Sequence, residues 1–285
     1  MTDLSEALAG VRGLVLDADG VIVFKGELLP GAQDALARLA TLGVPFRIVT
    51  NYSAAHRDTL SARFGDGAVP GNRFITAASA AAGYTATHHP GGRLFVLSAP
   101  DALREFDGQS LVSADEADAA APGELAAVVI GDGGDELSYR NLNVAFRAIR
   151  RGAEFVAMHR NPWWLTPRGE TLDAGAFVAG LEVATGRAPV VCGKPSSVVF
   201  KQALAGLAED LDIGRLPARD VAMVGDDPEA DIAGARLVGL RGILVLTGKV
   251  GASEAVAAMS GAPRTRPTAV ADSLPDVVAA LDGAT

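Results

Sequence analysis

The chain of 285 residues has a single cysteine, Cys192, so it can build neither an internal disulfide nor a multi-cysteine zinc site. Lying in an apolar run, that thiol reads as a packing residue. No apolar stretch reaches the roughly 18 residues that a membrane-spanning helix requires. The opening MTDLSEALAG carries acids and lacks the basic and long apolar segments of a secretory signal. The expectation is a globular chain in the cytoplasm with no membrane partner. Clustered Lys and Arg are also missing, and a net charge of -9 argues against a nucleic-acid surface. What is abundant is apolar side chain, 49% of residues, together with 33 glycines. A chain this long buries a substantial core, as one large domain or as a core with an insert.

Short apolar, β-branched runs alternate with helical patterns along most of the sequence, as in βα units forming a mainly parallel sheet. The strands expected are 14–20, 44–50, 93–98, 125–132, 153–158, 221–227 and 241–248. A helix is expected from Pro30 through Leu36 and Leu39 to about Gly43, and others over 136–151, 174–185, 196–209 and 228–238. The Ala-rich segments ITAASAAAGYTATHH and DEADAAAPGELAA read as helices with short connections, because each adjoins a strand signal. Residues 260–272 read as a loop before a last short helix at SLPDVVAAL.

Polar residues interrupt this pattern at strand ends. In GLVLDADGVIV, Asp17 and Asp19 are two apart, so in a strand they share a face, and Gly20 marks the strand's carboxyl end. Ligands of open parallel sheets bind outside those ends. VPFRIVTN ends in Thr50 and Asn51, a hydroxyl and an amide suited to phosphoryl oxygens. VVCGKP ends in Lys194, and VAMVGDDPEAD in Asp226 and Asp227, with Asp231 four residues after Asp227. Each has an ordinary reading: a solvated turn, a helix cap, a surface lysine, acids favouring a helix dipole. Four such signals at successive strand ends are hard to produce by loop chemistry. Several carboxylates in one crevice repel unless a cation sits among them, and oxygen ligands without His or Cys suit Mg²⁺. A carboxylate can attack phosphorus while Mg²⁺ and Lys neutralise the equatorial oxygens, and a second carboxyl can protonate the leaving oxygen.

DADGVI, VTN, GKP and GDDPEADIAGA resemble the four motifs of the haloacid dehalogenase superfamily of phosphatases. DADGVIVFKGELLPGA, TNYS, GKPSSVVF and GLRGILVLTGK resemble more narrowly its subclass IIA, which carries a large α/β cap between the second and third motifs. MHRNPWWLTPRGETLDAGAFVAGLEVATG resembles the cap-to-core return of the phospholysine phosphohistidine inorganic pyrophosphate phosphatase group, beside the 4-nitrophenyl phosphatases. The resemblance implies an α/β fold: a Rossmann-like parallel-sheet core with an inserted α/β cap. It implies a Mg²⁺-dependent phosphatase acting on a small phosphorylated metabolite, and association as a homodimer through the cap.

By matching motif positions, Asp17 corresponds to the nucleophile and Asp19 to the general acid/base. Thr50, Asn51 and Tyr52 line the phosphate side, and Lys194 holds the phosphoryl charge and orients Asp17. Asp17, the backbone carbonyl of Asp19 and Asp226 are the implied metal ligands. Asp227 acts through the metal's waters and Asp231 behind the ligands or on Lys194. The chain departs from the commonest form at Ala18, where Leu or Cys is frequent, and at Tyr52, where Asn is frequent. A non-catalytic phospho-ligand-binding protein on the same fold, or a phosphotransferase or mutase, is the alternative; the presence of both Asp17 and Asp19 favours turnover.

Asn51 and Lys194 are 143 positions apart, more than one βαβ crossover needs, so a separate unit is expected between them. It is placed at 83–179, between core segments 1–82 and 180–285. As a lid it would exclude water, leaving selectivity to its loops. His159, Arg160 and Trp163 in HRNPWW are the candidates, with a packed aromatic turn as the other reading. GDGGDE at 131–136 reads as a turn, and His88-His89 as a helix end.

Overall fold

The computed structural model describes residues 3–64, 69–166, 169–251 and 258–283. The chain divides into two compact units, one formed by Met1–Thr50, Ser61–Ile75 and Lys194–Thr285, the other by Asn51–Leu60 and Thr76–Gly193. The insertion thus includes the ten residues that follow Thr50.

The first unit is organised on a six-stranded sheet in the order Ala269–Ala271, Arg241–Val245, Val221–Gly225, Gly13–Asp17, Phe46–Thr50, Phe74–Thr76. Gly13–Asp17 pairs in parallel with both neighbours, Leu16 standing opposite Val224 on one side and Ile48 on the other. All five residues of each of these three strands are buried, the condition under which continuous apolar runs such as VAMVG and GLVL are stable as strands. From Gly13–Asp17 the chain builds outward to one side and later returns to build the other, so the order reverses at this strand and opens a crevice beyond its carboxyl end. Helices Ala32–Thr41, Ser197–Asp210 and Leu274–Asp282 flank the sheet and bury one face each.

The second unit has its own five-stranded parallel sheet, in the order Val190–Val191, Glu154–Ala157, Leu125–Ile130, Arg93–Leu97, Ser110–Leu111. Its core joins Val128, Ile130, Phe155, Ile149 and Val178. Both Ala-rich segments form helices there, Ala77–His88 and Ala114–Ala119, each closed at its start by a reciprocal capping box, Thr76 with Ser79 and Ser113 with Glu116.

Five local expectations are corrected. The first strand stops at Asp17, because Gly20 at φ 75 turns the chain and the carbonyl of Ala18 accepts from Ile22 and Val23; Asp19 therefore lies in a turn. The 136–151 region is a 3₁₀ turn, Gly134–Leu137, and then a helix, Tyr139–Arg150, that Ser138 caps. The 228–238 helix opens as a π turn over Pro228–Ala233 and becomes α-helical only at Gly234–Val238. Residues 269–271 form a strand beside Ile243–Val245, too short to leave a periodic signal. Trp163 and Trp164 belong to a hairpin, Trp163–Thr166 with Gly169–Leu172, rather than to an open loop.

Candidate active site

Three strand ends and the turns that leave them assemble one cluster in the first unit. Asp17 closes the Gly13–Asp17 strand, Asp226 follows Val221–Gly225, and Lys194 begins the chain's return to this unit. Asp17, Asp226 and Asp231 are buried, and one carboxylate oxygen from each lies within 4.8 Å of the other two. Lys194, 5% exposed, places its ammonium 2.6 Å from Asp17 Oδ1 and 2.7 Å from Asp231 Oδ1.

Glycines make room for these acids. A Cβ at Gly20 would fall 2.2 Å from Asp226 Oδ2, one at Gly248 1.9 Å from the same atom, and one at Gly225 2.3 Å from Asp231 Oδ2. Two turns and a strand end are thus moulded directly onto carboxylates, and no side chain fits at those positions. Backbone donors then fix the orientations. Asp17 Oδ1 accepts from the N–H of Ala18 at 2.7 Å, Asp226 Oδ2 from Lys249 at 2.7 Å, and Asp231 Oδ2 from Asp227 at 3.1 Å. Asp227 caps the following helical turn, Oδ1 accepting from the N–H groups of Glu229 and Ala230, while its Oδ2 takes the Lys249 ammonium at 2.9 Å.

One polar atom stands out. Asp226 Oδ1 is buried with no hydrogen-bond partner among the described residues, an arrangement that is costly unless a cation occupies the space it faces. Burial first, and then neighbouring acids, push the pKa of Asp226 up to about 6 and that of Asp231 up to about 7. Asp17 is raised for the same reason, with Lys194 acting against the shift. Burial alone would lower Lys194; Asp17 and Asp231 outweigh it and hold the ammonium charged. The cluster carries more negative charge than one lysine offsets, and its all-oxygen donor set fits a hard divalent cation.

Asp19 is exposed, yet crowding of its carboxyl raises its pKa, with Lys194 and then Lys249 opposing. Thr50 is buried at its strand end, in the same unit. Asn51 and Tyr52 belong to the second unit, where the Asn51 amide lies 3.4 Å from Asn161 Oδ1 and Tyr52 meets Trp164 edge-on with ring centres 6.5 Å apart. His159, also there, is 1% exposed, its Nε2 2.8 Å from Ser53 Oγ. Burial lowers it to about 4 and raises nearby Asp173 to about 6, so near neutral pH the imidazole is uncharged and the two, 3.6 Å apart, form no ion pair. Arg160 pairs with Glu182 at 2.5 Å, and Trp163 is 55% exposed. His88 ends a helix, as its sequence suggests, and His89 is 2.6 Å from Glu154.

Sequence reasoning passed over Lys249, Thr247, Gly248 and Ser53. The signal for the first three was available: LTGK follows an apolar strand in the way that the other strand-end signals do. Ser53 had none, since its contacts with His159, Ser98 and Asp132 are all distant in sequence.

Known proteins share these features. The family described as haloacid dehalogenase-like hydrolase matches residues 14–111, and the one described as HAD-hydrolase-like matches 191–277. Haloacid dehalogenase-like hydrolase domain-containing protein 2 of Mus musculus is 31% identical over 250 residues, 87% of this chain and 89% of its own length. The phospholysine phosphohistidine inorganic pyrophosphate phosphatase of Bos taurus is 32% identical over 87% of this chain and 88% of its own. Among solved structures, a p-nitrophenyl phosphatase from Archaeoglobus fulgidus superimposes with a TM-score of 0.82 at 27% identity, over 95% of this chain and 99% of that one. A glycerol phosphate phosphatase from Mycobacterium tuberculosis, solved in complex with magnesium, has a TM-score of 0.80 at 27% identity, over 97% of this chain and 79% of that one. Fold, site and relatives define the class as a hydrolase on a parallel α/β sheet. The chain belongs to the haloacid dehalogenase-like hydrolase family.

Proposed function

We propose that the protein is a Mg²⁺-dependent phosphatase that hydrolyses a small phosphorylated metabolite through an aspartyl-phosphate on Asp17. The observation that carries this reading is Lys194 bridging Asp17 and Asp231 beside the buried, unpaired Asp226 Oδ1. Both described contacts of Asp17 fall on Oδ1, and we assign Oδ2 to attack. As the new O–P bond forms and the bond to the leaving oxygen breaks, Asp19 gives that oxygen its proton. It then takes a proton from water, which attacks phosphorus, releases phosphate and restores the Asp17 carboxylate. Lys194 and Thr50, with Asn51 next in the chain, stabilise the phosphoryl oxygens. Asp17, Asp226 and the Asp19 backbone carbonyl would hold Mg²⁺, which when bound supplies positive charge against those oxygens. Asp227 and Asp231 act one step back, their oxygens already engaged by backbone and lysine donors.

Relatives named for p-nitrophenyl phosphate, glycerol phosphate and phospholysine, phosphohistidine or pyrophosphate support a small phosphorylated substrate. We assign its selection to the second unit, where Trp163 is exposed and Trp164 packs against Tyr52. The test is turnover of 4-nitrophenyl phosphate by the full chain, which should require Mg²⁺, stop with a chelator and vanish in Asp17→Asn. Ordinary turnover in that variant would sink the mechanism. A panel of phosphoglycolate, pyridoxal phosphate, pyrophosphate and phosphohistidine then separates ester, P–N and pyrophosphate hydrolysis.

A further inference from the structure

Among the described residues the site contains five carboxyl groups, Asp17, Asp19, Asp226, Asp227 and Asp231, and two ammonium groups, Lys194 and Lys249. Lys194 is committed: its side chain is 4% exposed and bound to two acids. Lys249 differs, with 65% of its side chain exposed and one carboxylate, Asp227, at 2.9 Å. Its turn is sewn into the site on three sides. Thr247 Oγ1 donates to the carbonyl of Gly20, Gly248 has no room for a side chain beside Asp226, and the Lys249 N–H occupies Asp226 Oδ2.

Two lysines thus face five carboxyl groups, and without Lys249 one lysine would face them together with an incoming phosphoryl group that is itself dianionic. We propose that Lys249 is a positioning residue that serves as the site's second cation, acting through Asp226 and Asp227 to set the balance between divalent cation and phosphoryl anion. Its backbone N–H occupies one oxygen of Asp226 and leaves the other for the cation. Its ammonium screens Asp227 so that an anion can approach. This inference rests on the phosphatase reading above.

Charge balance and mere loop support predict different outcomes. Losing a cation weakens anion binding and strengthens cation binding, whereas loosening the turn weakens both. The experiment uses the full chain as wild type, Lys249→Met and Lys249→Arg. Magnesium chloride alone is titrated by calorimetry, and inorganic phosphate is titrated as inhibitor of 4-nitrophenyl phosphate hydrolysis at saturating Mg²⁺. In Lys249→Met, phosphate should bind about three- to tenfold more weakly and Mg²⁺ about two- to threefold more tightly, the size expected of one exposed charge at short range. Both differences should shrink in about 0.5 M salt, and Lys249→Arg should restore both affinities. A Met variant matching the wild type, or one in which both affinities fall together, overturns the inference. A wild-type chain that binds neither Mg²⁺ nor phosphate overturns the phosphatase reading itself.

Discussion

The ammonium of Lys194 rests 2.7 Å from Asp231 Oδ1, a carboxylate with no exposed surface, and the same nitrogen reaches Asp17. Asp231 therefore holds the lysine from behind while Asp17 faces the crevice. In Asp231→Asn the lysine loses this buried ion-pair partner. We expect kcat to fall at least about tenfold, the loss of one aligned catalytic charge, and stability to fall by about 3 kcal/mol because a buried pair loses a partner. Steady-state kinetics and thermal denaturation measure the two effects separately.

Gly20 is required for two independent reasons: its φ of 75 is one that side chains rarely adopt, and a Cβ there would meet Asp226 at 2.2 Å. Gly20→Ala should cost about 1–3 kcal/mol and displace Asp226, so that Mg²⁺ binding by calorimetry weakens while the circular dichroism of the fold is retained. Unchanged Mg²⁺ affinity would show that Asp226 is not a ligand.

His159 makes stability depend on pH. Burial lowers its folded pKa to about 4, against about 6.5 in an unfolded chain. Between those values the unfolded state takes up a proton that the folded state refuses, so the contribution is fully present above pH 6.5 and is lost as pH falls toward 4. Asp173, raised to about 6 by burial, works oppositely, losing stability as pH rises from about 3.8 to 6. The difference in slope between Asp173→Asn and Asp173→Asn/His159→Gln should isolate His159, about 3 kcal/mol across the interval, because the raised acids of the first unit contribute equally to both. Chemical denaturation at several pH values reads both.

Glu105 ties down the segment that follows Thr50. Its side chain has no exposed surface and accepts from the Arg57 backbone at 2.7 Å and from its guanidinium at 2.8 Å. Glu105→Ala removes the buried acceptor of the Arg57 backbone and guanidinium, and because that guanidinium is 35% exposed and can turn to water the expected loss is about 1–2 kcal/mol. Hydrogen exchange should rise at residues 51–60 more than at the Gly13–Asp17 strand; equal change in both would show that the contact holds more than this segment.

Much of the fold was legible because burial imposes a pattern. VAMVG is a continuous apolar run and FRIVT is broken only by Arg47 before its closing Thr50, since both faces of their sheet are covered, and the helix at 174–185 shows in full because Asp173 opens it and Gly186, left-handed, ends it. The Trp163 hairpin and the Ala269–Ala271 strand were not legible, because short pairings owe their existence to a neighbour rather than to their own period. Asp19 was legible as a site residue for a reason that did not survive: a turn, and not strand alternation, brings it beside Asp17.

By itself the sequence determined the parallel architecture and the identities of Asp17, Asp19, Thr50, Lys194 and Asp226 as strand-end polar groups, since placing such groups within apolar runs is a local and costly choice. Only the tertiary structure decided which oxygens are already taken. Lys249 fills one side of Asp226 and leaves the other unpaired, Lys194 is shared between Asp17 and Asp231, and Gly20 and Gly248 clear the space around them. Those facts depend on distances between residues that lie from 22 to 206 positions apart, which composition and spacing do not encode.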